Sequence, residues 1–282
     1  MTDFIAQGAA LPAPLLERLM AATGASRAEF QETRRITRLT DATRATAFAS
    51  LIPLLEKERI NWGFVPKARA ALANYRLIAF DMDSTLITIE CIDELADFAG
   101  KKEEVAKITE AAMRGEMEYP ESLRRRLKTL SGLNAQALAQ VYSDRLAFSP
   151  GARELIRACQ QSGLRAALLS GGFTYFTERL RIELGLDFAT SNELEIKGGK
   201  LTGSIIGSII DADAKAERLR RLRQELGAAR EEVIAVGDGV NDLGMMMEAG
   251  LSVAYHAKAA VRARADIALN TLGLDGLLLF LA

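Results

Sequence analysis

The chain has 282 residues, 49% of them hydrophobic, enough to bury a sizeable core and to hold one full domain with a smaller one beside it. Its 36 basic and 37 acidic residues nearly cancel, so no global field draws it to nucleic acid or to anionic lipid, and neither partner is expected. No apolar run approaches the roughly 20 residues of a membrane helix, the N-terminus lacks the basic region of a signal peptide, and the two cysteines lie far apart without CxxC spacing, which together point to a cytoplasmic protein with reduced, packing thiols at Cys91 and Cys159.

Residues 1–74 are rich in Ala, Leu, Arg and Glu, with Leu15, Leu16, Leu19 and Met20 at helical spacing. The segment is expected to be a helical N-terminal extension that ends at the punctuation of Asn61, Gly63 and Pro66. Arg34, Arg35 and Arg38 read as a solvated face. With no clear βαβ pattern here, the extension is expected to pack on the core or to serve a homodimer.

From Arg76 onward, short apolar runs alternate with longer amphipathic stretches. Leu77–Phe80, Arg165–Leu169, Val233–Val236 and Leu251–Ala254 have the length and composition of buried strands. Strands separated by helical patterns form a doubly wound parallel sheet, a Rossmann-like α/β core expected over residues 75–88 and 150–282. Residues 89–149, inserted after the first of these strands, read almost wholly as helix and are expected to form a cap domain. A Gly198-Gly199 turn between Leu194–Ile196 and Leu201–Ser204 signals a hairpin added to the core.

Ligands of such sheets collect at the carboxyl ends of the strands. The first strand runs into Asp81-Met82-Asp83-Ser84-Thr85, two carboxylates two residues apart. One can act as ligand and nucleophile while the other exchanges a proton, although for an isolated pair a loop-capping or turn-forming role is the better reading. The third strand delivers Gly237-Asp238-Gly239-Val240-Asn241-Asp242 to the same edge. Asp238 and Asp242 with Asp81 and Asp83 make a hard, oxygen-rich cluster suited to Mg²⁺, and one histidine with no cysteine pair disfavours zinc. The second strand ends in Ser170-Gly171-Gly172, where glycines permit close backbone approach and free N–H groups before a helix offer an anion site. Lys215 could add a positive charge, though in isolation it reads as a surface lysine at a helix start.

Asp-x-Asp-x-Thr, Ser-Gly-Gly, a lysine and Gly-Asp-Gly-x-Asn-Asp, in that order, resemble the motifs of the haloacid dehalogenase-type phosphatases. Within that superfamily the chain is similar to the branch that acts on phosphoserine, over about Leu77 to Ala268. The finer likeness lies in Ile89-Glu90-Cys91-Ile92-Asp93-Glu94, Ala112-Met113-Arg114-Gly115-Glu116, Ser122-Leu123-Arg124-Arg125-Arg126 and Tyr255-His256-Ala257-Lys258. The resemblance implies that Asp81 attacks phosphorus, that Asp83 protonates the leaving oxygen and later activates water, and that Mg²⁺ sits on the Asp81 and Asp238 side chains and the Asp83 carbonyl, with Asp242 in support. It implies further that Ser170, Gly171 and Lys215 hold the phosphate, with Asn241 at the edge of the site. Glu90 and Arg126 match the positions that receive the substrate ammonium and carboxylate, which suits their chemistry. Met113 and Tyr119 match the lining that closes over the substrate. His256 is expected to be structural. Ala259 stands where the family commonly has proline.

The activity implied is hydrolysis of O-phospho-L-serine to serine and phosphate, the last step of serine synthesis. The same chemistry on another small phosphomonoester, or transfer to an acceptor such as homoserine, would use the same nucleophile. A phosphate-binding regulatory protein would not need every catalytic position filled.

Overall fold

Strand-forming runs along the whole chain pair into one sheet of eleven strands among the residues that the computed structural model describes, 1–8 and 10–281. The N-terminal part departs from expectation. It runs β1 (Thr2–Gln7), α1 (Ala13–Thr23), β2 (Arg27–Gln31), β3 (Ile36–Thr40), α2 (Ile52–Lys57) and β4 (Asn61–Pro66). Its four strands pair antiparallel in the order β2-β3-β1-β4. The expected helical N-terminal extension is therefore corrected to a βαββαβ unit.

The reason for the misreading is burial on both faces. Phe4 and Ala6 of β1 pack beneath the helices with Leu15, Leu19 and Leu55, whereas Ile5 joins the opposite core, so the strand shows no polar alternation. Only α1 carries the helical period. Phe4, Phe48, Trp62 and Phe64 hold this unit together through edge-to-face contacts with ring centroids 4.9–5.4 Å apart.

The core opens with β5 (Leu77–Phe80). Four helices follow, α3 (Cys91–Phe98), α4 (Lys102–Met113), α5 (Tyr119–Thr129) and α6 (Gln136–Asp144). The chain then alternates α7 (Ala152–Gln161), β6 (Arg165–Phe173), α8 (Thr174–Leu184), β7 (Phe188–Lys197), β8 (Lys200–Ile206), α9 (Ala212–Glu225) and β9 (Val233–Gly237). It closes with α10 (Leu243–Glu248), β10 (Leu251–Tyr255), α11 (Ala259–Arg262), β11 (Ile267–Leu269) and α12 (Leu277–Phe280).

Strands β11-β10-β9-β5-β6-β7 are parallel, and β8 returns antiparallel on β7 through the Gly198-Gly199 turn. The sheet is wound on both faces. Ile78 and Phe80 pack with Leu155 and Ile156 of α7 and Leu180 of α8, while Leu77 and Ala79 pack with Leu219 of α9 and Met245 of α10. Of the helices α3–α6, α5 packs on β8, and Gly132 and Leu133 after it bond to Leu201 of that strand by backbone contacts of 2.8 and 2.9 Å. Cys91 and Cys159 are free, buried packing residues. No helix of the described residues is long and apolar enough to cross a membrane.

The antiparallel and parallel parts of this sheet join where β4 pairs antiparallel with β11. A Cβ at Gly63 would lie 2.7 Å from the Ile267 side chain, so the glycine that reads as a chain breaker is what lets these strands approach.

Candidate active site

Four segments meet at the carboxyl edge of the parallel sheet. The backbone N–H of Asp81 donates to Val236 O at 3.0 Å, the last rung between β5 and β9, and its side chain turns out over that edge. The next turn is tight: Ser84 has φ of +56°, and its hydroxyl donates to Glu90 Oε1 at 2.7 Å, tying the head of α3 to the motif. Thr85 points the other way and donates to Asp238 Oδ1 at 2.8 Å.

Lys215, expected at the surface, is 1% exposed. Asp211 caps α9 by accepting from Ala214 N at 2.9 Å, and one turn later the lysine reaches into the sheet edge. Its Nζ donates to Asp81 Oδ1 at 2.7 Å and to Asp242 Oδ1 at 2.9 Å. Burial works against its charge, but the Asp242 and Asp81 carboxylates outweigh that and hold the ammonium above its ordinary range. Asp242 also accepts from the N–H groups of Asp238 and Gly239 at 3.2 and 3.0 Å, which shapes the loop after β9.

The acids themselves are strained electrostatically. Burial, then the charge of Asp242, raises the Asp81 carboxyl well above its usual range against the pull of Lys215. Burial and Asp242 push Asp238 up to about 6. Burial and the nearby Glu90 push Asp83 up to about 7, although the Cys91 amide, 3.4 Å from its Oδ1, opposes the shift. A carboxyl that titrates near neutrality can both give and take a proton there. Carboxylate oxygens of Asp81, Asp238 and Asp242 come within 4.8 Å of one another, a hard oxygen donor set whose mutual repulsion a cation would relieve. These residues fit Mg²⁺.

At the end of β6, Ser170 Oγ accepts from Gly172 N at 2.8 Å. Gly172 has no room for a side chain, because a Cβ would lie 2.4 Å from Met82 and 3.2 Å from Asp83 Oδ2. The strand therefore brings its backbone against the acid pair. Above it, the Tyr119 hydroxyl of α5 donates to Gly171 O at 3.2 Å, one direct bond between the helical insertion and the core.

A cavity of 720 Å³ lies between the insertion and the sheet edge. Asp81, Asp83, Ser170, Gly171, Asp238 and Asn241 line its floor. Glu90, Met113 and Arg126 line its roof, with Met113 still 66% exposed at the end of α4. Arg124 and Arg125 face solvent, which resolves the register of the three arginines in favour of Arg126. The Arg126 Nε is buried without a hydrogen-bond partner. Lys215 sits beneath the floor, bonded to Asp81. His256 lies outside the cavity and bonds Leu272 O at 2.9 Å. The part of Ser84 in orienting Glu90 is carried in the sequence only by its position inside the Asp-x-Asp-x-Thr motif.

The family model described as haloacid dehalogenase-like hydrolase matches residues 78–247. A phosphoserine phosphatase of Albidiferax ferrireducens is 52% identical over 221 residues, covering 77% of this chain and 92% of its own. A HAD-family hydrolase of Salmonella enterica serovar Typhi, 30% identical, superposes with a TM-score of 0.86 over 100% of this chain and 99% of its own. A solved phospho-aspartyl intermediate analogue of phosphoserine phosphatase, 38% identical, reaches a TM-score of 0.69 over 74% of this chain and 99% of its own. A family match over more than half the chain, spanning the strands that deliver Asp81, Ser170 and Asp238 to one edge and the helix that brings Lys215 there, shows that the chain belongs to the haloacid dehalogenase-like hydrolases.

Proposed function

We propose that this hydrolase is a magnesium-dependent phosphatase that cleaves O-phospho-L-serine to L-serine and phosphate through an aspartyl-phosphate on Asp81. The observation that carries the reading is a single cavity with two chemistries: Asp81 and Asp83 beside Ser170 and Gly171 at one end, Glu90 and Arg126 at the other. A phosphate ester of a zwitterionic amino acid needs both. The unpartnered Arg126 Nε suits a carboxylate, and Glu90, oriented by Ser84, suits an ammonium. The name of the 52% identical relative and the phospho-aspartyl analogue of the solved neighbour support the same substrate and intermediate.

In the first step an Asp81 carboxylate oxygen attacks phosphorus, the bond from phosphorus to the serine oxygen breaks, and the Asp83 carboxyl gives its proton to that oxygen. In the second, Asp83, now a carboxylate, takes a proton from water as the water oxygen attacks phosphorus, which releases phosphate and restores Asp81. Asp81 and Asp238 would hold Mg²⁺ with the Asp83 carbonyl, and the ion, when bound, supplies positive charge against the phosphoryl oxygens. Lys215 aims Asp81 and opposes its protonation. Ser170 and the Gly171 and Gly172 backbone turn toward the phosphate, and Tyr119 helps close the cavity against water.

The test is a substrate profile. With Mg²⁺ present, kcat/KM on phosphoserine should exceed that on phosphothreonine, phosphohomoserine and p-nitrophenyl phosphate. Equal or higher values on the others would sink the serine assignment.

A further inference from the structure

We propose that Asn192 is a positioning residue that locks the two walls of the phosphate site, the Ser170–Gly172 loop and the start of α9, into one rigid cradle. The inference rests on the assignment of Ser170, Gly171 and Lys215 to the phosphate end of the cavity.

Strand β6 shifts register against β7 between Leu169 and Phe173, which frees Ser170–Gly172 from the ladder to face the cavity. A carbonyl taken out of a ladder and partly shielded from solvent needs another donor. Asn192, paired with Phe173 just beyond the shift and 1% exposed, supplies it: Nδ2 donates to Gly171 O at 2.7 Å. The other end of the same amide is equally committed, since Oδ1 accepts from Ile210 N at 2.8 Å. Ile210 immediately precedes Asp211, the residue that caps α9 and so sets the height of Lys215.

The direction of the Gly171 carbonyl dictates that of the Gly172 N–H, because the two lie on opposite sides of one planar trans peptide. That N–H is the donor to Ser170 Oγ. One side chain thus sets the orientation of the Ser170 hydroxyl and the Gly172 amide on one wall and anchors the helix of Lys215 on the other. It does not line the cavity, and its amide bonds backbone groups of Gly171 and Ile210 rather than the acids of the site. Tyr119 shares the Gly171 acceptor, so the carbonyl to which the insertion bonds is also the one Asn192 aims.

Asn192→Asp keeps the shape and the acceptor for Ile210 but replaces the donor with a carboxylate facing the Gly171 carbonyl. The full-length protein with Mg²⁺ is titrated with inorganic phosphate by calorimetry, a readout independent of turnover. The dissociation constant should rise by about tenfold to a hundredfold, the scale of one lost buried hydrogen bond. Asn192→Ser, which keeps a shorter donor, should fall between that variant and wild type. In turnover, kcat/KM should drop by the same factor for phosphoserine and for p-nitrophenyl phosphate, leaving their ratio unchanged. A folded Asn192→Asp that binds phosphate within about twofold of wild type overturns the proposal. Failure of both variants to fold also overturns it, since Asn192 would then be structural. If wild type binds phosphate but does not favour phosphoserine, the substrate reading fails while the phosphate titration still decides Asn192.

Discussion

Replacing Lys215 with methionine removes the ammonium that sits 2.7 Å from Asp81 and 2.9 Å from Asp242. Methionine has nearly the same volume, so packing is preserved and the change is electrostatic. Two buried carboxylates would then face each other, and the cheapest relief is for one to take a proton. At pH 7 that costs at most about 3 pKa units, or about 4 kcal/mol, from the ordinary aspartate value, a ceiling because burial and Asp242 already raise Asp81 in wild type. The figure agrees with the roughly 3–5 kcal/mol for breaking a buried pair by removing one partner. The sign with pH follows. A carboxyl whose folded pKa is raised stabilises the fold below its unfolded pKa and loses that contribution as pH rises toward the folded value. The variant should therefore be close to wild type near pH 4 and fall progressively behind it up to pH 7, where the melting temperature should be lower by about 6–12 °C. The assay is thermal unfolding in EDTA across that pH range. Adding Asp242→Asn should recover part of the stability without recovering turnover. A Lys215→Met protein that melts like wild type at pH 7 would refute the buried-charge argument.

Arg126→Lys replaces a planar fork with a point charge and should lower kcat/KM on phosphoserine by about 10- to 100-fold. The same variant should hydrolyse p-nitrophenyl phosphate within about threefold of wild type, because that ester has no carboxylate to lose. Thr85→Val keeps the shape of a fully buried side chain and removes the 2.8 Å bond to Asp238; the Mg²⁺ concentration for half-maximal activity should rise by about 10- to 100-fold. An unchanged Mg²⁺ requirement would detach Thr85 from the metal site. Chelation should abolish turnover in wild type, Mg²⁺ should restore it, and the melting temperature should climb with Mg²⁺ concentration as mass action requires.

The acids and glycines of the site were legible because each stands at the end of an apolar run, where a parallel sheet gathers its chemistry. Lys215 was placed near the phosphate only by company: nothing in Asp211–Lys215 distinguishes a buried lysine from a solvated one until the cap on Asp211 and the pair of carboxylates are seen together. Arg126 stood among three arginines, and only the packing of α5 turns one of them inward. Asn192 carried no signal, since its partners Gly171 and Ile210 are backbone groups 21 and 18 residues away. The N-terminal unit was misread for a related reason. Strands β1 and β4 bury both faces, the helix α1 supplies the one strong period, and Gly63, which permits the seam with Ile267, has the look of a break.

The central claim is a phosphoryl group carried on Asp81, and trapping it tests that claim most directly. Enzyme mixed with ³²P-labelled phosphoserine and Mg²⁺, quenched in acid within a turnover and digested, should yield label on the peptide containing Asp81, released by hydroxylamine and absent from Asp81→Asn. Steady turnover of phosphoserine with no label on that peptide, or with label on another residue, would contradict the account.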